Sequence, residues 1–330
     1  MMNNVDDELF AKRMIEEILA QEQAQINLEK SQEFANVIDD FYDAFAVDDS
    51  THLGQTFMYL KENMDSFDEH MFITYMKDTW AHPNTVDLDH PKKILISSSE
   101  HNVTPLTQIK HNYLHTFAQY YWEEEGVTPI PLGCFSKNET TIKPVKERMY
   151  NTTFIGCLNR NRTKLASMLS GVPRLCMFLG FYLNDPKMMK FINHMVKWRH
   201  PRDFYSFNPD FNSGVKGDVF MNILNNSKIC LVPRGWTNAE TYRLYEAMNA
   251  GCVVICEKLP DRKYFKNIPV IQVDKWKDGL KKARDLLKDD ALLQELSNKS
   301  KMFYDEFLSP IATAKIIMEK LENKKDDRSK

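Results

Sequence analysis

From residue 150 onward, short apolar runs alternate with helical stretches, and this alternation constrains the fold more than any other feature of the chain. The strand-like runs are YNTTFIGCL, PRLCMFLGFYL, ICLVPRG, CVVICE and IPVIQV. Between them lie RTKLASMLSG, closed by Gly171, then DPKMMKFINHMVKWRH, DVFMNILNNSK and TNAETYRLYEAMNAG, all with helical periodicity. Strand–helix–strand succession of this kind builds βαβ units around a parallel sheet. Two more helices follow, from Trp276 to about Leu308 and from Pro310 onward.

The part before residue 150 has a different texture. Apolar residues recur at three-to-four spacing over 7–46 and again over 55–80, which predicts helices. KKILISS (92–98) is the first clear strand, followed by the polar loop SEHNVTP. TQIKHNYLHTFAQYYWEEEG predicts a helix stopped at Gly126, VTPIPLG a short strand, and CFSKNETTIKPVKERM has the composition of a linker. The expected organisation is a helical N-terminal region (1–90), the rest of an N-terminal domain (91–145) and a C-terminal α/β domain (146–305). A final helix and tail (306–330) are expected to pack back towards the N-terminal domain. A ligand is expected in the cleft between the two halves, outside the carboxyl ends of the strands.

Composition removes several classes. At 43% apolar and 27% charged residues the chain is an ordinary globular protein. No apolar run approaches the roughly 20 residues of a membrane span, and the acidic N-terminus lacks a secretory pattern. A cytoplasmic protein is the expectation. The six cysteines are scattered, without zinc or CxxC spacing, and are expected to be free thiols. The net charge of −3 hides an asymmetry, because the first fifty residues carry 13 acids and 3 bases, leaving 33 acids against 40 bases. The acidic arm offers a surface for a protein partner, and the basic body weakly favours an anionic ligand.

One segment concentrates polar chemistry between two buried strands: ICLVPRGWTNAETYRLYEAMNAGCVVI. Arg234, Thr237, Asn238, Glu240, Thr241, Arg243 and Glu246 all fall between the strand ending at Val232 and the one starting near Cys252. Thr237 and Glu240 have the spacing of a capping box, which places a helix start at Thr237. The free N–H groups there would seat a phosphate or diphosphate, with the Arg234 fork beside them. Glu240, Arg243 and Glu246 follow at steps of three, on one helix face, where a carboxylate can accept from ribose hydroxyls. Read one residue at a time, Glu240 is equally a cap and Arg243 with Glu246 equally a structural ion pair.

SKICLVPRGWTNAETYRLYEAMNAGCVVI resembles the donor-site segment of GT-B glycosyltransferases, nearest to the exostosin-like kind. Ser227, Lys228, Cys230, Leu231, Pro233, Arg234 and Gly235 match its first part, and Arg243, Glu246, Ala247, Ala250, Gly251 and Cys252 its second. Thr241 stands for the family serine, and Val254 for a proline. The resemblance implies that Glu246 holds the nucleotide ribose. A first glutamate common in the wider group falls on Asn238, leaving Asn238 or Glu240 to substitute for it. TTFIGCLNRNRTKL resembles the first strand and loop of the donor domain, which implies Arg160 or Arg162 near the diphosphate. YYWEEEGVTPIPLGCF resembles the end of the first GT-B domain.

The implied fold is α/β and GT-B-like, with two Rossmann-like halves facing a cleft and an added N-terminal helical region. The implied reaction moves a sugar from a nucleotide-diphosphate donor to an acceptor hydroxyl, most simply that of a glycan. The departing diphosphate needs positive charge, expected from Arg234, Arg160 or Arg162 and the helix start at Thr237. No cofactor and no metal ion are expected, and DLD at 87–89 has the setting of a turn. An inverting course needs a base, for which Glu100 and His101, in the loop after KKILISS, are the candidates. Two other readings stay open: transfer to a modified DNA base, and a non-catalytic nucleotide-sugar-binding or scaffold protein.

Overall fold

The computed structural model describes residues 36–41, 51–76, 89–98, 106, 110–121, 123–134, 142–177, 186–210, 213–215 and 217–327. The chain divides into two compact units, Met1–Ala118 with Glu123–Thr128, and Gln119–Trp122 with Pro129–Lys330.

In the first unit the described strands are β1 (Val37–Phe41), β2 (Met71–Met76), β3 (Lys93–Ser97), β4 (His115–Ala118) and β5 (Val127–Pro129), in that spatial order. The pairs β1–β2, β2–β3 and β3–β4 are parallel, with Ile73 opposite Leu95 and Ile96 opposite Phe117. Helix α1 (His52–Asn63) is capped by the Thr51 side chain, which accepts from the N–H of Gly54. It buries Phe57 and Leu60, and Phe57 meets Phe72 of β2 edge-on at 5.3 Å.

Three expectations for this unit are corrected. Val37–Phe41 and Met71–Met76 are strands where helices over 7–46 and 55–80 were expected, and α1 ends at Asn63. His115–Ala118 is a strand within the stretch expected to be helical up to Gly126. The reason is burial: β2 and β4 are short stretches enclosed by neighbours, and such runs lack the polar–apolar alternation that separates strand from helix. The rest of 7–46 lies outside the described residues, apart from 36.

The second unit is doubly wound. Its described strands are β6 (Tyr150–Cys157), β7 (Phe204–Asn208), β8 (Ser227–Val232), β9 (Val253–Glu257) and β10 (Ile271–Val273), in the order β10-β9-β8-β6-β7. All four pairings are parallel. Helices α2 (Thr163–Ser170), α3 (Pro186–Arg199), α4 (Gly217–Asn225), α5 (Tyr242–Asn249), α6 (Trp276–Leu286), α7 (Asp290–Phe303) and α8 (Pro310–Asp327) complete it.

Alternate residues of the strands feed two separate cores. Ile155, Cys230, Val232, Val254 and Cys256 pack with α4 and α5 on one face of the sheet. Phe154, Ile229, Leu231, Val253 and Ile255 pack with α2, α3 and α6 on the other. Two further departures from expectation occur here. β7 is a strand that the sequence pattern does not mark, and within the described part of the apolar run PRLCMFLGFYL, residues 173–177, residues 174–177 are helical.

Each unit is a Rossmann-like α/β unit built on a parallel sheet. None of the six cysteines is disulfide-bonded. Among the described residues no helix is long and apolar enough to cross a membrane.

Candidate functional site

The strand order of the second unit fixes where a ligand can enter. From β6 the chain runs outward to β7, then crosses back to β8 on the other side of β6. The helices that follow β6 and β8 lie on opposite faces of the sheet, the arrangement at which such sheets bind ligands outside the carboxyl ends of their strands. The loop after β6 carries Arg160, Asn161 and Arg162, and the loop after β8 carries residues 233–241.

Side chains of the first loop hold the second in place. Asn161 Nδ2 donates to the carbonyls of Gly235 (2.7 Å) and Trp236 (3.0 Å). Arg162 donates from Nε to Arg234 O (3.1 Å) and from Nη1 to Cys157 O (2.8 Å). Within the second loop, Gly235 N–H donates to Asn238 O at 2.7 Å, and the Arg234 guanidinium donates to Thr237 O. A loop braced this way presents its groups in one arrangement rather than an ensemble.

Two guanidinium groups meet beneath these loops. Arg243, from the first turn of α5, lies over the Phe154 ring at 4.8 Å, and Arg162 lies over the same ring at 5.6 Å. Gly156 makes room for them. An ideal Cβ there would lie 3.0 Å from Arg243 Cζ, closer still to its Nη2, and 3.4 Å from Arg162 Nη1. Unit charges about 5 Å apart repel by roughly 3 kcal/mol at an effective dielectric of about 20. Each cation–π contact returns roughly 0.5–2 kcal/mol. The two terms are comparable, so the ring offsets much of the repulsion, and a neighbouring anion would be attracted by both cations.

Burial lowers the pKa of Arg243, opposed by the negative charges of Cys230, Glu246 and Cys157 when these are ionised. Its Nε and that of Arg234 are buried without hydrogen-bond partners among the described residues. Each arginine thus carries one buried donor that no described group satisfies. Burial raises the Cys157 thiol, and Arg162 and Arg243 pull it back down.

The helix start is corrected. α5 begins at Tyr242 with Thr241 as its N-cap, in extended backbone (φ −142°, ψ 153°). The capping box at Thr237 does not form because Glu240 is engaged elsewhere. Its Oε1 accepts from the hydroxyls of Tyr245 and of Tyr264 (3.0 Å), and Arg262 Nε lies 3.9 Å from Oε2. Glu240 therefore precedes the helix and does not share its face with Arg243 and Glu246. The helix terminus, where N–H groups lack intrahelical partners, stands at Thr241 and beside Arg243. Thr241 makes no side-chain cap, and its Oγ1 is buried without a hydrogen-bond partner among the described residues.

The other candidates occupy distinct places. Arg160 is exposed on the loop after β6. Arg234, Thr237 and Asn238 line a cavity of about 400 Å3 at the carboxyl ends of β8, β9 and β10, together with Glu257, Lys258 and Asp274. Glu246 is 6% exposed; burial raises the Cys134 thiol and the Tyr304 hydroxyl, and the charge of Glu246 adds to both shifts. Glu100 and His101 lie outside the described residues. Among the described residues no group of three or more His, Cys, Asp or Glu could hold a metal ion.

Sequence reasoning missed four contributors: Phe154, Gly156, Asn161 and Lys258. Gly156 stands in the FIGCL run that carried the resemblance, but its partner Arg243 comes from a distant part of the chain. Asn161 lies between two arginines, in a stretch whose sequence signals only a loop.

No protein-family model matches the sequence, and no curated protein matches it either. Among solved structures, the chain is similar to MurG from Acinetobacter baumannii, at 9% identity over 82% of this chain and 78% of that one, with a TM-score of 0.45. It is also similar to a glycosyltransferase from Rickettsia africae ESF-5, at 9% identity over 86% and 96%, with a TM-score of 0.47. A third similarity is to an alpha-glucosyltransferase in complex with UDP and a 13-mer DNA, at 11% identity over 86% and 98%, with a TM-score of 0.45.

Proposed function

We propose that the protein is a glycosyltransferase that moves a sugar from a nucleotide-diphosphate donor to an acceptor hydroxyl, with a glycan as the simplest acceptor. One observation carries this reading. Arg243 and Arg162 crowd together over Phe154 at the sheet's switch point, and Arg243 Nε lacks a partner. A diphosphate placed there would relieve the repulsion between the guanidinium groups. It would also take up the donors of Arg243 and Arg234 and the N–H groups at the start of α5.

In the reaction, the bond from the anomeric carbon to the diphosphate oxygen breaks, and the bond to the acceptor oxygen forms. Positive charge at the leaving oxygens lowers the barrier by stabilising the diphosphate as it departs. Arg234 and Arg243 supply that charge, with Arg160 at the rim. Glu246 accepts from the ribose hydroxyls. The cavity beside Arg234 suits a polyhydroxylated ring, since Asn238, Lys258, Glu257 and Asp274 offer both donors and acceptors. The acceptor's proton goes to Glu100 or His101 if the course is inverting, an assignment resting on sequence alone. The exostosin-like affiliation rests on the string from Ser227 to Ile255, and a cytoplasmic setting fits six unbridged thiols.

The test is incubation of the purified chain with a panel of nucleotide sugars, following release of the nucleoside diphosphate and the mass of the products. Slow donor hydrolysis, or transfer to added saccharides, that is lost in Arg243→Ala supports the reading. A panel with no turnover and no binding removes it.

A further inference from the structure

The outward face of α3 combines cations with large exposed rings. The helix buries Met189, Ile192 and Val196 in the core. On its other side Lys187, Phe191, His194 and Trp198 follow at i, i+4, i+7 and i+11, the spacing of a single stripe. Phe191 is 50% and Trp198 71% exposed. Lys190 and Lys197 flank them, also exposed, and α3 contains no aspartate or glutamate. Burial of a large apolar side chain is worth roughly 1.5–3 kcal/mol, so two rings left in water on one stripe forgo a substantial gain.

We propose that this face of α3 docks on an anionic lipid bilayer, with Phe191 and Trp198 entering the boundary between headgroups and acyl chains and Lys190 and Lys197 meeting lipid phosphates. Charge complementarity identifies the partner as anionic. The apolar anchors identify it as a bilayer, because aromatic rings and lysines on one helix face are what an interfacial helix presents. A nucleic-acid strand fits less well. The rings stand about 10 Å apart along the helix, whereas successive bases in a duplex strand rise about 3.4 Å. No residue of this face belongs to the proposed sugar-transfer site, so the inference stands independently of the proposed reaction.

Vesicle co-sedimentation of the full chain tests it, with phosphatidylcholine vesicles set against equimolar phosphatidylcholine and phosphatidylglycerol. The chain is expected to sediment with the anionic vesicles only, less so as salt is raised. Lys190→Gln and Lys197→Gln should each weaken partitioning roughly fivefold. Trp198→Ser should weaken it and remove the component of fluorescence quenched by brominated acyl chains. All three positions are exposed, and circular dichroism checks that the fold is kept. No sedimentation, sedimentation with neutral vesicles alone, indifference to all three substitutions, or binding of single-stranded DNA in place of vesicles would each overturn the proposal.

Discussion

The guanidinium of Arg243 occupies the space that a side chain on residue 156 would need. Gly156 has φ +156°, a backbone conformation that other residues rarely adopt, and Arg243 Cζ lies 3.0 Å from its ideal Cβ position. Strand β6 and helix α5, far apart in sequence, are thereby matched at one point beneath the switch-point loops. Glycine at 156 serves the placement of a charge, with sheet geometry a secondary reason.

Gly156→Ala tests that match. The added methyl should displace the guanidinium and weaken nucleoside diphosphate binding by about tenfold or more, the worth of a charged hydrogen bond being roughly 1.5–3 kcal/mol. Backbone strain should lower stability by about 1–3 kcal/mol. Titration calorimetry and urea unfolding read the two effects separately. Unchanged affinity would mean that Arg243 is not a ligand-binding group.

Glu240→Gln should act on stability rather than on ligand binding. Its carboxylate accepts from Tyr245 and Tyr264 beside Arg262, inside a 1%-exposed site. Loss of a charged acceptor there should destabilise by roughly 1.5–3 kcal/mol, seen in urea unfolding, with nucleoside diphosphate affinity changed less than about threefold. The reverse pattern would return Glu240 to the ligand site.

Asn161→Ala should loosen the loop after β8 without touching a charge. Two side-chain hydrogen bonds to Gly235 and Trp236 are lost, each contributing about 0.5–1.5 kcal/mol. Amide hydrogen exchange of residues 234–238 should accelerate, and diphosphate affinity should fall, because a mobile loop must be ordered on binding. Unaltered exchange in that loop would show that Asn161 does not brace it.

The pH dependence of stability should carry the signature of a buried neutral histidine. Burial lowers the His52 pKa from 6.5 to about 3. The unfolded chain therefore binds a proton in this window that the folded chain does not. The stability is fully present above pH 6.5 and declines as pH falls towards 3, at up to about 1.4 kcal/mol per pH unit. His52→Gln should flatten that slope between pH 6.5 and 5 relative to the parent chain. Identical slopes would place the titration elsewhere.

Much of the second unit was legible because its strands are bounded by turn-formers and its helices carry clear periodicity. β8 ends at Val232, just before Pro233, and α2 is closed by Gly171 in left-handed backbone. β2 and β4 were misread because fully buried runs such as FITY and HTFA carry no alternation to distinguish strand from helix. The helix start failed for another reason. Thr237 and Glu240 satisfy a local capping pattern, but Tyr264 and Arg262, from a later segment, compete for the carboxylate and win. The cluster of Gly156, Arg162 and Arg243 was beyond sequence spacing, since its members meet only once the sheet has formed.

The most direct measurement is a crystal structure of the chain with the nucleoside diphosphate that binds most tightly. The account predicts its diphosphate oxygens within hydrogen-bond distance of Arg243 and of the α5 amino end, with a ribose hydroxyl on Glu246. A nucleotide bound away from the loops after β6 and β8, leaving Arg243 stacked on Phe154 with no oxyanion beside it, would contradict it.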